Sequence, residues 1–163
     1  MEEKDSKVAS LFELLLHKLT SNDISQVLIL QDTEGQTLVH LAALNDYLRT
    51  IQLLLKLLSS DQLFNILSKQ DAKGSTALHR SVSNPLMLEV LIKPLAPSQQ
   101  IAAIDIRDNR ERDVIALAKA LRDDFDDYNC VTFPEKLRKT AEDCLAENSK
   151  TKLSKEKQFI YLI

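Results

Sequence analysis

Few side chains here are suited to catalysis or metal binding: three histidines (His17, His40, His79) and two cysteines (Cys130, Cys144). Such residues supply a metal site, or a nucleophile with its base, only if spacing brings them together. It does not. There is no C-x-x-C and no H-x-x-x-H, the spacings that place zinc ligands side by side. Cys130 lies in an expected loop, with no cluster of cations nearby to lower its pKa. "RDDFDDYN", residues 122–129, offers four acids, but a calcium loop also needs a central Gly and a Glu at its twelfth place. It has no Gly, and the twelfth place from Asp124 is Glu135, behind Pro134. The stretch reads as a solvated acidic loop. No phosphate-cradling Gly loop and no G-x-S-x-G elbow occurs, so neither an enzyme nor a cofactor is expected.

The elements that carry the histidines are more informative. "DTEGQTLVHLAA" (32–43) and "DAKGSTALHRSV" (71–82) repeat Asp-x-x-Gly-x-Thr-x-x-His at a separation of 39 residues. The only two glycines, Gly35 and Gly74, share one place in it. Gly permits a left-handed turn, and Thr37 and Thr76 suit the N-cap of the helix that follows. His40 and His79 then fall behind the cap, where structural hydrogen bonds between adjacent turns are expected. His17, in an apolar helix, is read as packing or exposed.

A third copy, "DNRERDVIALAKAL" from Asp108, follows 37 residues later, with Glu111 for Gly, Asp113 for Thr and Ala116 for His. Glu does not favour a left-handed turn, so this copy is degenerate.

Between the phrases, apolar spacing predicts helices. Val8, Leu11, Phe12, Leu15, Leu16 and Leu19 form one buried face over 6–20. "SNDISQVLIL", "SSDQLFNILSKQ" and "SQQIAAIDIR" each give a short helix before an Asp. Leu48, Ile51, Leu54, Leu55 and Leu58 share a face of a second helix in the first unit. Pro85 separates the two helices of the second, which ends at Val90, Leu91 and Ile92. Pro94 and Pro97 stop its continuation. Pro134 at N1 opens a C-terminal helix with Leu137, Ala141, Cys144 and Leu145 on one stripe. A Lys/Ser/Thr-rich linker is expected after Asn148, before an apolar end whose Phe159, Ile160 and Leu162 dock on the last unit or meet a partner. Each unit leaves an apolar face that only a neighbour covers, so the fold class is all-α, a helical solenoid capped by helices at both ends.

The phrases resemble the ankyrin repeat through Asp32, Gly35, Thr37, His40, Ala42 and Ala43, then Asp71, Gly74, Thr76, Leu78 and His79. The resemblance covers about residues 32 to 121, and the units are longer than the family's roughly 33 residues by one short helix. Ser81 and Val82 replace two alanines, which sets the second inner helix farther out. The organisation that follows is an N-terminal cap (1–31), repeats at 32–70 and 71–107, a degenerate repeat (108–128) and a C-terminal helix and tail (129–163).

The resemblance implies a non-enzymatic protein-interaction module. Its partner-binding surface would be the turn tips Thr33, Glu34, Gln36, Ala72, Lys73, Ser75, Asn109, Arg110 and Arg112. Inner-helix positions Leu41, Asn45, Arg80, Ser83, Asn84 and Leu117 would join them. This surface runs from acidic to basic along the units. Alternatives are a regulatory or adaptor subunit of an enzyme complex, or a bacterial effector mimicking host adaptors, contacting its partner through the C-terminal segment. Net charge is −3 with both signs interspersed, which disfavours nucleic acid, and no apolar run is long enough for a membrane. The N-terminus has no secretory-signal pattern and the thiols read as reduced, so a cytoplasmic setting is expected (a host cytosol for an effector), as a monomer or weak dimer.

Overall fold

The period of the sequence becomes a period of helices. The computed structural model describes residues 2–16, 18, 20–122 and 129–160, and among these there is no strand. The helices are α1 (Glu2–Leu16), α2 (Ser21–Leu28), α3 (Leu38–Leu44), α4 (Leu48–Leu55), α5 (Ser60–Leu67), α6 (Ala77–Arg80), α7 (Pro85–Ile92), α8 (Pro97–Ile104), α9 (Val114–Arg122) and α10 (Asn129–Ile160). They stack in three rows: α3, α6 and α9; α1, α4, α7 and α10; α2, α5 and α8. The α10 helix also lies across α8 and α9, covering the C-terminal end. An all-α ankyrin-type solenoid describes this arrangement.

Local chemistry places the helix starts. Thr20 and Ser59 cap α2 and α5 by accepting from Asp23 N and Gln62 N, and each third residue returns the bond to the cap backbone. Asn84 caps α7, with Pro85 in its first turn, and Asp113 Oδ1 accepts from Ala116 N (2.7 Å) at the start of α9. Between the rows lies one apolar core in which Ile66, Leu67, Leu78, Met87, Leu88, Leu91 and Ile92 are fully buried. Each such side chain contributes roughly 1.5–3 kcal/mol.

The stack's N-terminal end is less covered. Val27 and Leu38 stand 39 residues before Ile66 and Ala77, both 0% exposed, yet they are 44% and 38% exposed. The later pair is sealed by the preceding unit, and among the described residues no inner-row helix precedes α3.

Several expectations are corrected. On α1 the buried positions are Asp5 and Ala9, whereas Leu11 is 63% exposed; the side chains of Val8, Phe12, Leu15 and Leu16, and all of His17 and Leu19, lie outside the described residues. Leu58 lies beyond the end of α4. The second inner helix is a single turn, because Ser81 folds its hydroxyl onto Leu78 O (2.9 Å); Ser81 and Val82 are nonetheless buried. Pro134 lies inside α10, which starts at Asn129, and the helix runs on through the expected linker. Cys144 is exposed, while Ala141 carries the buried stripe with partly buried Leu137 and Leu145. The acids at 123–128, the Cys130 side chain and the apolar tip (the side chains of Phe159 and Ile160, and Leu162) fall outside the described residues.

The α4 helix takes its cap from another helix. Its own N-cap residue, Tyr47, makes no side-chain capping bond. Asp5 of α1 supplies the acceptors instead: Oδ2 receives Arg49 N (2.8 Å), and Oδ1 receives Thr50 N (3.3 Å) and Thr50 Oγ1 (3.0 Å). Asp5→Ala leaves the two buried Thr50 donors and Arg49 N without that acceptor, so a loss of about 1–3 kcal/mol in urea unfolding is expected, with faster amide exchange along α1. Unchanged exchange in α1 would contradict this attachment.

Candidate partner-binding surface

Three turns of one design precede the inner helices. The Asp backbone N–H donates to the carbonyl four residues on: Asp32 to Gln36, Asp71 to Ser75 and Asp108 to Arg112, each at 2.9 Å. Its Oδ1 accepts from the N–H groups two and four residues on, at 2.8–3.0 Å in all three turns. The bend closes through a left-handed residue at the fourth place: Gly35 (φ 72°), Gly74 (φ 73°) and Glu111 (φ 59°). The third turn therefore keeps the shape that its glutamate was expected to disfavour, and the carboxylate scaffold imposes it.

Gly is needed at the first two for a second reason. A Cβ on Gly35 would come within 2.9 Å of Ala72 N, and one on Gly74 within 2.6 Å of Asn109 N. Each turn lies against the backbone of the next. Among the described residues no further turn of this design follows Glu111, so there the backbone strain is what remains.

Hydrogen bonds tie the turns into a ladder. Ala72 N donates to Glu34 O (2.9 Å), and Asn109 N to Lys73 O (3.1 Å). Gln31 Nε2 bridges Gly35 O and Gln70 O; Gln70 Nε2 repeats this with Gly74 O and Arg107 O. His40 Nε2 meets Ser75 O and His79 Nε2 meets Arg112 O, both at 3.0 Å. A carbonyl only accepts, so Nε2 carries the proton. Nδ1 receives the backbone N–H of Thr37 or Thr76 (3.2 Å each), which fixes the neutral tautomer. Burial lowers both imidazole pKa values, and the bonds to the carbonyls only partly oppose it.

Two arginines are held by the turn carboxylates. Arg80 Nε (3.1 Å) and an Nη contact Asp71 Oδ2; Arg112 Nε (3.0 Å) and Nη2 (2.7 Å) contact Asp108 Oδ2. Burial works against the charge on Asp108, but Arg112 and the N–H groups of Arg112 and Arg110 outweigh it and hold the pKa at about 2. Asp71 is lowered likewise, with Arg80 opposing its burial. Between the second and third turns these residues open a groove of about 470 Å³. It is lined by Ala72, Lys73, Ser75, His79, Arg80, Asp108, Asn109, Arg110, Arg112 and Leu117.

A family model of ankyrin repeats in three copies matches residues 5–108, well over half of the chain. The chain belongs to the ankyrin-repeat family. No curated protein matches it. The match begins at Asp5, within the segment expected to cap the array. Ankyrin repeats are generally protein–protein interaction modules and typically non-catalytic. Among the described residues no His/Cys/Asp/Glu group could hold a metal, and no helix is long and apolar enough to cross a membrane.

The ankyrin groove gathers eight of the residues expected at the surface: Ala72, Lys73, Ser75, Arg80, Asn109, Arg110, Arg112 and Leu117. Thr33, Glu34, Gln36, Leu41 and Asn45 belong to the first unit, outside it. Ser83 is exposed beyond α6. Asn84 is structural: its Oδ1 caps α7, and Nδ2 donates to Asp46 Oδ1 (2.8 Å). Asn109 is partly so, since its Nδ2 donates to Ala72 O (3.1 Å). The linking residues absent from the sequence reading are Gln31 and Gln70. Their signal was present, a Gln directly before Asp32 and before Asp71.

Substitutions at the left-handed position should have opposite signs along the array. Gly74→Ala is expected to cost about 2 kcal/mol or more, from φ and the contact with Asn109 together. Glu111→Gly is expected to gain up to ~1 kcal/mol, since relief of strain exceeds the added unfolded-state entropy. Denaturant midpoints of both variants measure this, and equal signs would refute the stacking argument.

The histidines set a pH limit. Their folded pKa values lie below the 6.5 of the free imidazole, so the unfolded chain binds more protons below that pH. Stability should be level above about 6.5 and fall below it, by at most roughly 1.4 kcal/mol per pH unit for each histidine. Urea unfolding at pH 7.5 and 5.5 tests this, and equal stability at both would count against two buried neutral imidazoles.

Proposed function

We propose that this chain is an adaptor-type interaction module whose partner protein lies along the turn tips and inner helices, seated mainly in the groove between the second and third units. The observation that carries the reading is the convergence of turn-tip and inner-helix residues on one concavity whose walls are cross-linked. The ladder of backbone, Gln and His bonds leaves those turns little freedom to lose on binding. A preorganised surface keeps more of its contact energy as affinity. The exposed groove residues Ala72, Lys73, Asn109 and Arg110 sit at the tips, where a partner reaches them without displacing a helix.

Affinity capture from cell lysates tests the reading with a plug that carries no charge. Ala72→Trp fills the groove from its rim, and Gln52→Trp adds the same bulk to an exposed position of α4 in another row. At least one protein recovered by wild type and by Gln52→Trp should be lost from Ala72→Trp. Identical recovery by all three would reject the groove as the seat of the partner.

A further inference from the structure

The walls of the groove are not electrically neutral, and their imbalance points to the chemistry of what enters. Arg80 and Asp71 form one compensated pair, and Arg112 and Asp108 another. The two carboxylates are nearly enclosed, with side chains 1% and 3% exposed, whereas the guanidiniums are 22% and 30% exposed. The anions are thus hidden behind the cations that they hold in place. Each guanidinium is gripped through Nε and one Nη, an arrangement that fixes its plane. Lys73 and Arg110, both exposed at the tips, add two positive charges, and Asp108 is the only carboxylate in the lining. Glu111, beside them in the sequence, faces Arg107 at 3.7 Å.

The junction between the first and second turns is less cationic at matching places. Glu34 stands 39 residues before Lys73, and Leu41 stands 39 before Arg80. Asp32 is exposed with no arginine of its own in the position that Arg80 fills for Asp71. The backbone scaffold is the same, but the first junction offers an anion fewer cations than the second.

We propose that the groove between the second and third turns is a carboxylate-reading subsite, which takes an extended acidic segment of the partner protein. The inference rests on the partner-binding reading above and adds the ligand's chemistry. Lys73 and Arg110 attract the segment at the tips, and the fixed guanidiniums of Arg80 and Arg112 meet its carboxylates with little ordering cost. The acidic first turn sets the register, because a segment shifted by one unit would place its carboxylates against Asp32 and Glu34.

The test is a titration of the ¹⁵N-labelled chain with hexaglutamate, with hexalysine and inorganic phosphate in parallel. Hexaglutamate should move the amides of Lys73, Asn109, Arg110 and Leu117 first and to saturation, while hexalysine leaves them in place. Lys73→Glu/Arg110→Glu should weaken hexaglutamate by at least about tenfold, and Lys93→Glu at the end of α7 by less than about twofold. Scattered or absent shifts overturn the proposal. So does phosphate acting as strongly as the peptide at the same amides, which would make the groove a small-anion site. A partner lost with Ala72→Trp but retained by the charge-reversed variant would keep the groove as its seat and overturn the acidic chemistry alone.

Discussion

Each turn of this protein must bend through a left-handed residue while lying against the backbone of the next turn, and the rest of the stack depends on meeting both demands. At Gly35 and Gly74 the missing Cβ serves both, because any side-chain carbon there would press on Ala72 or Asn109. At Glu111 only the bend remains to be met, and the Asp108 carboxylate holds it with bonds from Arg110 N and Arg112 N. Loss of Gly in the last unit is therefore a consequence of position. Among the described residues no next turn stands there to require it.

Close stacking of turns brings buried polar groups with it, and these in turn arrange the surface. A carbonyl at the base of one turn is met by the imidazole of the unit before it, which must then stay neutral. In the second and third units the carboxylate that closes the turn is too enclosed to lack compensation, and an arginine covers it. Those arginines line the groove as a by-product of satisfying the turns. Scaffold and surface thus share residues, and the first unit, with Leu41 where the second has Arg80, has the scaffold without the cationic wall.

Much of this was legible before any coordinates. The recurrence of Asp, Gly, Thr and His at one spacing locates the turns and the starts of α3 and α6, because each residue type answers a local need: an acceptor, a positive φ, a cap. The short helices before each Asp were also readable from cap residues and apolar spacing. Asp5 was not, since a carboxylate in an N-terminal helix gives no sign that it will cap a helix 44 residues away. Nor was the shortening of α6. Ser81 competes with the helix for Leu78 O, and whether it succeeds depends on what surrounds it. Leu11 was misread for a related reason: periodicity marks an apolar stripe, but α4 covers only part of α1.

The chain's own order of residues determined the repeated turn phrase and the types of side chain at the turn tips, because these follow from interactions within a few residues of backbone. Tertiary structure decided which tips meet across a groove and which apolar positions stay open at the N-terminal end. Those outcomes depend on what lies in the next layer, and the contacts that settle them join residues more than 30 positions apart.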